Sequence, residues 1–154
     1  MTPGQLLADR FLIVRRIARG GMGVVYEAYD EKLARSIALK CARAGRDRHL
    51  YSEVRLATEV SHPNICKIYE IHTAQNNEGP LDFFTMELLE GRTLRQLIQS
   101  GALQPKQNLD LGIEIADALE AAHEVRKSSN AITVAEAANL VAEGCTFLTD
   151  VNIP

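Results

Sequence analysis

Two groups of residues near the start of the chain have types and spacing that could do chemistry. The first is Ala18-Arg19-Gly20-Gly21-Met22-Gly23-Val24-Val25. Glycines let a backbone approach a phosphate closely and aim its N–H groups at the anion. The second is a pair of opposite charges. Lys40 closes the apolar run Ile37-Ala38-Leu39-Lys40, and Glu53 shares a helical face with Leu56 and Val60. Each charge is costly to bury alone, and together they offset that cost. A lysine held by a carboxylate can reach the α- and β-phosphates of a nucleotide. Taken singly, each group has a plain alternative. A glycine-rich turn also makes an ordinary hairpin, and lysine and glutamate at element ends are ordinary solvated charges.

The elements that must position these groups narrow the chemistry. Residues 11–17, 24–29 and 37–42 are short apolar or alternating runs, which predicts strands. Glycines of a dinucleotide-binding fingerprint would have to open a helix, whereas Val24-Val25-Tyr26-Glu27-Ala28 reads as a strand. A Walker A loop is excluded because no Gly-Lys-Ser/Thr follows. From about residue 49 to 60 the period becomes helical, and Ser61-His62-Pro63-Asn64 ends that helix. Two further strands are expected over 65–71 and 81–87, with 75–80 as a loop between them. Thr93 and Gln96 form a capping box for a short helix that Gly101 stops. Pro105 then suits the first turn of a longer helix to about Glu124, with a narrow polar stripe of Asp110, Glu114, Asp117 and Glu124. The order predicts an α+β fold: a five-stranded antiparallel sheet with one helix, followed by helices.

Bulk properties exclude several classes. The chain has 154 residues, 46% hydrophobic and 24% charged, which suits a soluble globular protein. A net charge of −3 argues against a general nucleic-acid binder. No apolar run approaches a membrane span, and the opening Met-Thr-Pro-Gly-Gln is not a signal peptide, so a cytoplasmic location is expected. Cys41, Cys66 and Cys145 are scattered and the four histidines lack ligand spacing, so neither a disulfide framework nor a zinc site is expected.

Between Phe11 and Glu124 the chain resembles a bacterial serine/threonine protein kinase. The glycine loop, Ile37-Ala38-Leu39-Lys40, Glu53, His62-Pro63-Asn64-Ile65 and Met86-Glu87-Leu88-Leu89-Glu90-Gly91 stand in family order and spacing. Any one of these is a weak signal; the set is specific. The resemblance implies an ATP-binding N-terminal lobe with one movable helix beside its sheet. It implies that Gly20, Gly21 and Gly23 cover the phosphates and that Val25 and Ala38 line the adenine. It makes Lys40 the phosphate lysine and Glu53 its partner. Met86 would be the gatekeeper, with the backbones of Glu87 and Leu89 on the adenine edge and Glu90 or Thr93 near the ribose. One departure lies inside the motif: Ala18 stands where the family usually has its first glycine, which would weaken phosphate contact if that position needs positive φ.

A second departure is larger. The family transfers the γ-phosphoryl group with a His-Arg-Asp loop, a downstream asparagine and an Asp-Phe-Gly aspartate that hold Mg²⁺. Beyond His123-Glu124 this chain reads Val125-Arg126-Lys127-Ser128-Ser129-Asn130, and those motifs are absent. Asp82-Phe83-Phe84 lacks the glycine and precedes the expected hinge, and Asp150 has no supporting context. ATP is therefore the expected ligand, while the protein ligands of the family's Mg²⁺ are missing. The expected layout is a lead-in over 1–10, an N-terminal lobe and hinge over 11–89, the first helices of an incomplete second lobe over 90–124, and a divergent tail over 125–154. In that tail Thr133, Glu136, Val134, Ala137, Ala138 and Val141 pattern a helix that could cover the apolar helix 105–124. Three readings follow: a nucleotide-binding, pseudokinase-like chain that does not transfer phosphate by itself; a non-catalytic module that uses helix 105–124 for a protein partner or self-association; or a non-functional, poorly folding product of a truncated, frame-shifted or rearranged kinase gene.

Overall fold

The computed structural model describes residues 1–20, 23–42, 54, 58–76 and 79–129. Among these, the strands are β1 (Leu6–Leu7), β2 (Phe11–Gly20), β3 (Gly23–Asp30), β4 (Arg35–Ala42), β5 (Ile68–Asn76) and β6 (Gly79–Met86). The helices are α1 (Leu94–Ser100) and α2 (Pro105–Ser129). All strand pairs are antiparallel, in the order β1-β2-β3-β4-β6-β5. Val54, Thr58 and Glu59 are helical and Val60, the expected last residue, is not; the rest of the helix expected over 49–60, Glu53 included, lies outside the described residues.

The α+β class stands, and the strand count is corrected from five to six. The extra strand, β1, pairs Leu6 with Leu12 and Leu7 with Phe11. It left no periodic signal because it is two residues long. Its turn is made by Ala8 and Asp9 at φ of 52° and 50°, positions where glycine or asparagine is the usual cue. The expected loop 75–80 is likewise tighter, since Gln75 pairs with Pro80 and Asn76 with Gly79 inside the β5–β6 ladder. The strand expected from residue 65 begins at Ile68, because His62 to Ile65 close a turn with the Ile65 N–H on the His62 carbonyl at 3.1 Å. Helix α2 runs five residues past the expected Glu124, to Ser129.

The chain divides into two compact units, residues 1–54 with 68–88, and residues 55–67 with those from 89 onward. In the first, strand alternation sends side chains to two faces. One face holds the core of Leu7, Phe11, Ile13, Tyr26, Ala28, Ile37, Leu39, Cys41, Ala74 and Phe83. Burial pushes the Cys41 thiol up to about 12, so it packs as a small hydrophobe. One corner of the sheet is polar. Arg10 Nε and Nη2 donate to the two Asp30 carboxylate oxygens at 2.9 and 2.8 Å, and Nη1 donates to Glu70 at 3.0 Å. Asp30, 2% exposed, also accepts the backbone N–H groups of Lys32 and Leu33. The Arg10 hydrogen bonds hold the Asp30 carboxyl below the usual carboxylate range, against the burial that opposes them.

In the second unit, the Thr93 hydroxyl accepts the Gln96 N–H at 3.2 Å and Gln96 Oε1 accepts the Thr93 N–H at 2.7 Å. That is the expected capping box, and Gly101 ends α1 in the left-handed region at φ 64°. His62 and Asn64 fasten their turn to α2: His62 Nε2 is 3.1 Å from Asp117 Oδ2, and Asn64 Nδ2 donates to the Glu114 carbonyl at 3.4 Å. The Asn64 N–H donates to His62 Nδ1 at 3.2 Å, so in a neutral ring the proton sits on Nε2 and points at Asp117.

Candidate functional site

The face of the sheet opposite the core gathers four of the sequence-derived candidates, Val25, Ala38, Lys40 and Met86. In the ladder Val25 stands opposite Lys40 and Lys40 opposite Phe84, while Ala38 stands opposite Met86. Residues two apart on one strand share a face, so Val25, Ala38, Lys40, Phe84 and Met86 form one contiguous surface across β3, β4 and β6. All five are buried, with Lys40 6% exposed and Ala38 2%. The Lys40 ammonium lies 5.7 Å from the centre of the Phe84 ring, within cation–π range. The surface therefore has an apolar portion whose central member, Ala38, projects only a methyl group, and a cationic portion at Lys40.

At its edge stands the glycine hairpin. Ala18 pairs with Val25 and Gly20 with Gly23, closing β2 onto β3. Gly21 and Met22, between them in the sequence, lie outside the described residues. Gly23 has φ 145°, on the side of the map where a Cβ is strained. Gly20 has no such φ, and a Cβ placed there would meet nothing within 4 Å, so its conformation does not require glycine. Ala18 sits in β2, just after an irregularity in the ladder, and is not among the positive-φ residues. Its methyl group is thus unstrained, which removes the backbone objection to alanine at that place.

The other candidates fall elsewhere. Glu53 lies outside the described residues, so its pairing with Lys40 does too. Glu87 is exposed just after β6. Leu89 and Thr93 belong to the second unit, where the Thr93 hydroxyl is engaged as a helix cap. The rejected Asp82-Phe83-Phe84 is built into β6: Asp82 accepts the Thr73 hydroxyl at 2.6 Å and Phe83 is fully buried. Two features were not singled out from sequence. Phe84 joins the Lys40 surface, and the even-numbered alternation with Met86 could have found it. The Asp117 partnership with His62 joins residues 55 apart, and no local pattern signals it.

The arrangement, an apolar surface ending in a lysine beside a glycine hairpin, suits an aromatic base carrying phosphates. Comparison with known proteins bears on the family. The family model described as the protein kinase domain matches residues 11–128. The chain is 32% identical over 131 residues to the serine/threonine-protein kinase PknB of Mycobacterium leprae, covering 80% of this chain and 21% of that protein. It is 34% identical over 131 residues to the probable serine/threonine-protein kinase pknA2 of Bifidobacterium longum, covering 79% of this chain and 17% of that protein. The chain thus spans about a fifth of the length of these curated relatives. The crystal structure of the Mycobacterium tuberculosis PknI kinase domain superposes with a TM-score of 0.66 at 22% identity, over 80% of this chain and 51% of that one, which shows a shared fold. With the motif set, the sheet and these matches in agreement, the chain belongs to the protein kinase family.

Proposed function

We propose that this chain is an ATP-binding, serine/threonine-kinase-type lobe that does not transfer phosphate by itself. The observation that supports it best is the single surface of Val25, Ala38, Met86 and Lys40 on three adjacent strands. Adenine fits the apolar part, where Ala38 leaves room, and the phosphates fit the backbone of Gly20, Gly21 and Gly23 with Lys40. On this reading Glu53 pairs with Lys40, the backbones of Glu87 and Leu89 meet the adenine edge, and Glu90 or Thr93 lies near the ribose. Residues 11–89 are the nucleotide-binding part, residues 90–124 begin a second lobe and residues 125–154 diverge from it. The same reading puts the chain in the cytoplasm, a compartment that keeps thiols such as the buried Cys41 reduced.

Magnesium is treated differently. The family's His-Arg-Asp and Asp-Phe-Gly residues do not occur in these 154 residues. Among the described residues no group of three His, Cys, Asp or Glu side chains is placed to hold a metal. The residues present do not fit the ion, and no transfer step is drawn through it. Loss of general-base help alone lowers rates by about 10²–10⁴-fold in many enzymes.

Calorimetric titration with ATP, with and without Mg²⁺, beside Lys40→Met tests the reading. The expected result is saturable binding that weakens in the variant while its melt stays cooperative. A folded protein that takes up no ATP would refute the nucleotide site. Lys40-dependent incorporation of labelled phosphate into a generic substrate would refute the loss of transfer. A second reading, a non-catalytic interaction module, is favoured by one observation: Leu109 and Ile113 on α2 are 65% and 59% exposed.

A further inference from the structure

An ammonium taken out of water loses its hydration, and the groups around it decide how that loss is offset. Lys40 is 6% exposed on β4, with Val25 of β3 opposite it on one side and Phe84 of β6 on the other. Val25 offers a cation only aliphatic surface. Phe84 offers a ring whose negative face attracts a cation, and the ammonium lies over that ring at 5.7 Å from its centre. The ring is itself firmly placed. Phe84 is 4% exposed, and its strand is paired on both edges, to Lys40 in β4 and to Ile71 in β5. The next residue, Thr85, donates its hydroxyl to the Glu70 carbonyl at 3.3 Å and ties the same stretch of backbone to β5.

Place along the strands gives the contact a purpose. Ala38 and Met86, the apolar row, stand two residues from Lys40 and Phe84, about 6–7 Å away. Two residues further in the other direction, Ala42 pairs with Gly23 at the glycine hairpin. The ammonium and the ring thus form the row between the apolar surface and the hairpin. An ammonium has three N–H donors and no acceptor. A carboxylate partner takes up such donors. A ring face attracts the charge but has no lone pair to accept a hydrogen bond, so it leaves the donors for the oxygens of an anion. We propose that Phe84 is a positioning residue of the nucleotide site: its ring steadies the Lys40 ammonium between base and hairpin, with the donors left for phosphate. This role rests on the nucleotide reading above, and it adds to a pairing of Lys40 with Glu53 without replacing it. An aliphatic side chain in the same place would fill the volume and supply no attraction.

The test puts a ring-trifluorinated phenylalanine at position 84 of the full chain. Fluorination keeps the ring close to its shape while cancelling its negative face, so packing and the melt should hold while the attraction goes. NMR titration compares ATP with adenosine, in the parent and in a Lys40→Met background. ATP affinity is expected to fall about three- to tenfold on fluorination, with adenosine affinity unchanged. In Lys40→Met the same fluorination should cost nothing, because its effect runs through the lysine. In the ligand-free protein the ε-methylene protons of Lys40 should lie upfield of an ordinary lysine and return toward it in Phe84→Leu. Equal losses for ATP and adenosine, or the same loss in Lys40→Met, would make Phe84 a wall of the pocket and overturn the role. Unchanged ATP affinity, or Lys40 protons that Phe84→Leu does not move, would overturn it and leave the nucleotide site standing. A folded parent that binds no ATP would instead remove the nucleotide reading, and this role with it.

Discussion

Replacing Arg10 with methionine isolates one interaction that fixes the sheet. Methionine keeps much of the aliphatic volume over the Phe11 ring, above which the guanidinium carbon lies at 4.8 Å. It removes both hydrogen bonds to Asp30 and leaves that carboxylate, 3% exposed at its side chain, with two backbone N–H donors. Breaking a buried ion pair from one side costs about 3–5 kcal/mol. The surviving donors and the 19% exposure of the Arg10 side chain move the expectation down to about 2–3 kcal/mol. The exposed Glu70 contact adds little. For a chain of this size the loss corresponds to a melting shift of about 5–10 °C. Urea unfolding should show a lower midpoint with an unchanged slope. Asp30→Asn added to Arg10→Met should recover part of the loss, because the stranded charge disappears. The acid limb gives an independent reading. Asp30 has a depressed carboxyl pKa, so its contribution is present above the ordinary carboxylate value of about 3.9 and is lost as pH falls through the folded value. In Arg10→Met that limb should move to higher pH. A variant within about 0.5 kcal/mol of the parent, with a double variant no more stable, would refute the reasoning.

Three further outcomes are expected. Gly23→Ala places a Cβ at φ 145° and should cost about 1–3 kcal/mol in thermal melts, whereas Gly20→Ala, with open space and no positive φ, should melt near the parent. His72 is packed on Phe83 and edge-on to Phe11, with ring centres 5.1 and 5.0 Å apart, and burial lowers its pKa from 6.5. The folded state therefore binds fewer protons, and stability should rise with pH from the lowered value up to about 6.5 and level off above it. His72→Phe should remove that rise. His62→Ala deletes the contacts to Asp117 and the Asn64 N–H, and should lower stability by about 1 kcal/mol with faster amide exchange over residues 62–65.

Part of the candidate surface was legible because strand chemistry repeats every two residues. Once 37–42 reads as a strand, Ala38 and Lys40 share a face without any tertiary information, whereas Val25, Met86 and the role of Ala38 came from the family resemblance, and the sheet register joins them into one surface. The short helix was legible for a similar reason, since Thr93, Gln96 and Gly101 act within a single turn of the chain. What escaped depends on residues far apart in sequence or on weak local cues. Arg10 reads as part of a lead-in, and only the folded sheet brings it to Asp30 and Glu70. Asp117 reads as solvated stripe, yet the turn at His62 rests on it. Strand β1 is too short to alternate, and its turn uses alanine and aspartate at positive φ.

The register of β2 against β3 shows why these distant devices matter to the site. Phe11 pairs with Asp30 and Ile13 with Ala28, and an unbroken ladder from there would set Ala18 opposite Gly23. The observed partner of Ala18 is Val25, because irregularities between Ile13 and Arg15 and between Arg16 and Ala18 each insert one residue into β2. Those two insertions bring Gly20 opposite Gly23, so that the hairpin closes through the glycines. They also leave β3 free to keep Tyr26 and Ala28 in the core and Val25 on the Lys40 face. A slip of β3 by one residue would exchange those faces. The slip is opposed at one end by the Arg10–Asp30 pair and along the strand by the β4 ladder from Gly23–Ala42 to Asp30–Arg35. The placement of the glycine hairpin and Val25 at one end of β3 is therefore linked to a charge pair at the other. The fold stabilises its candidate site chiefly by fixing register, and only secondarily by contacts at the site itself.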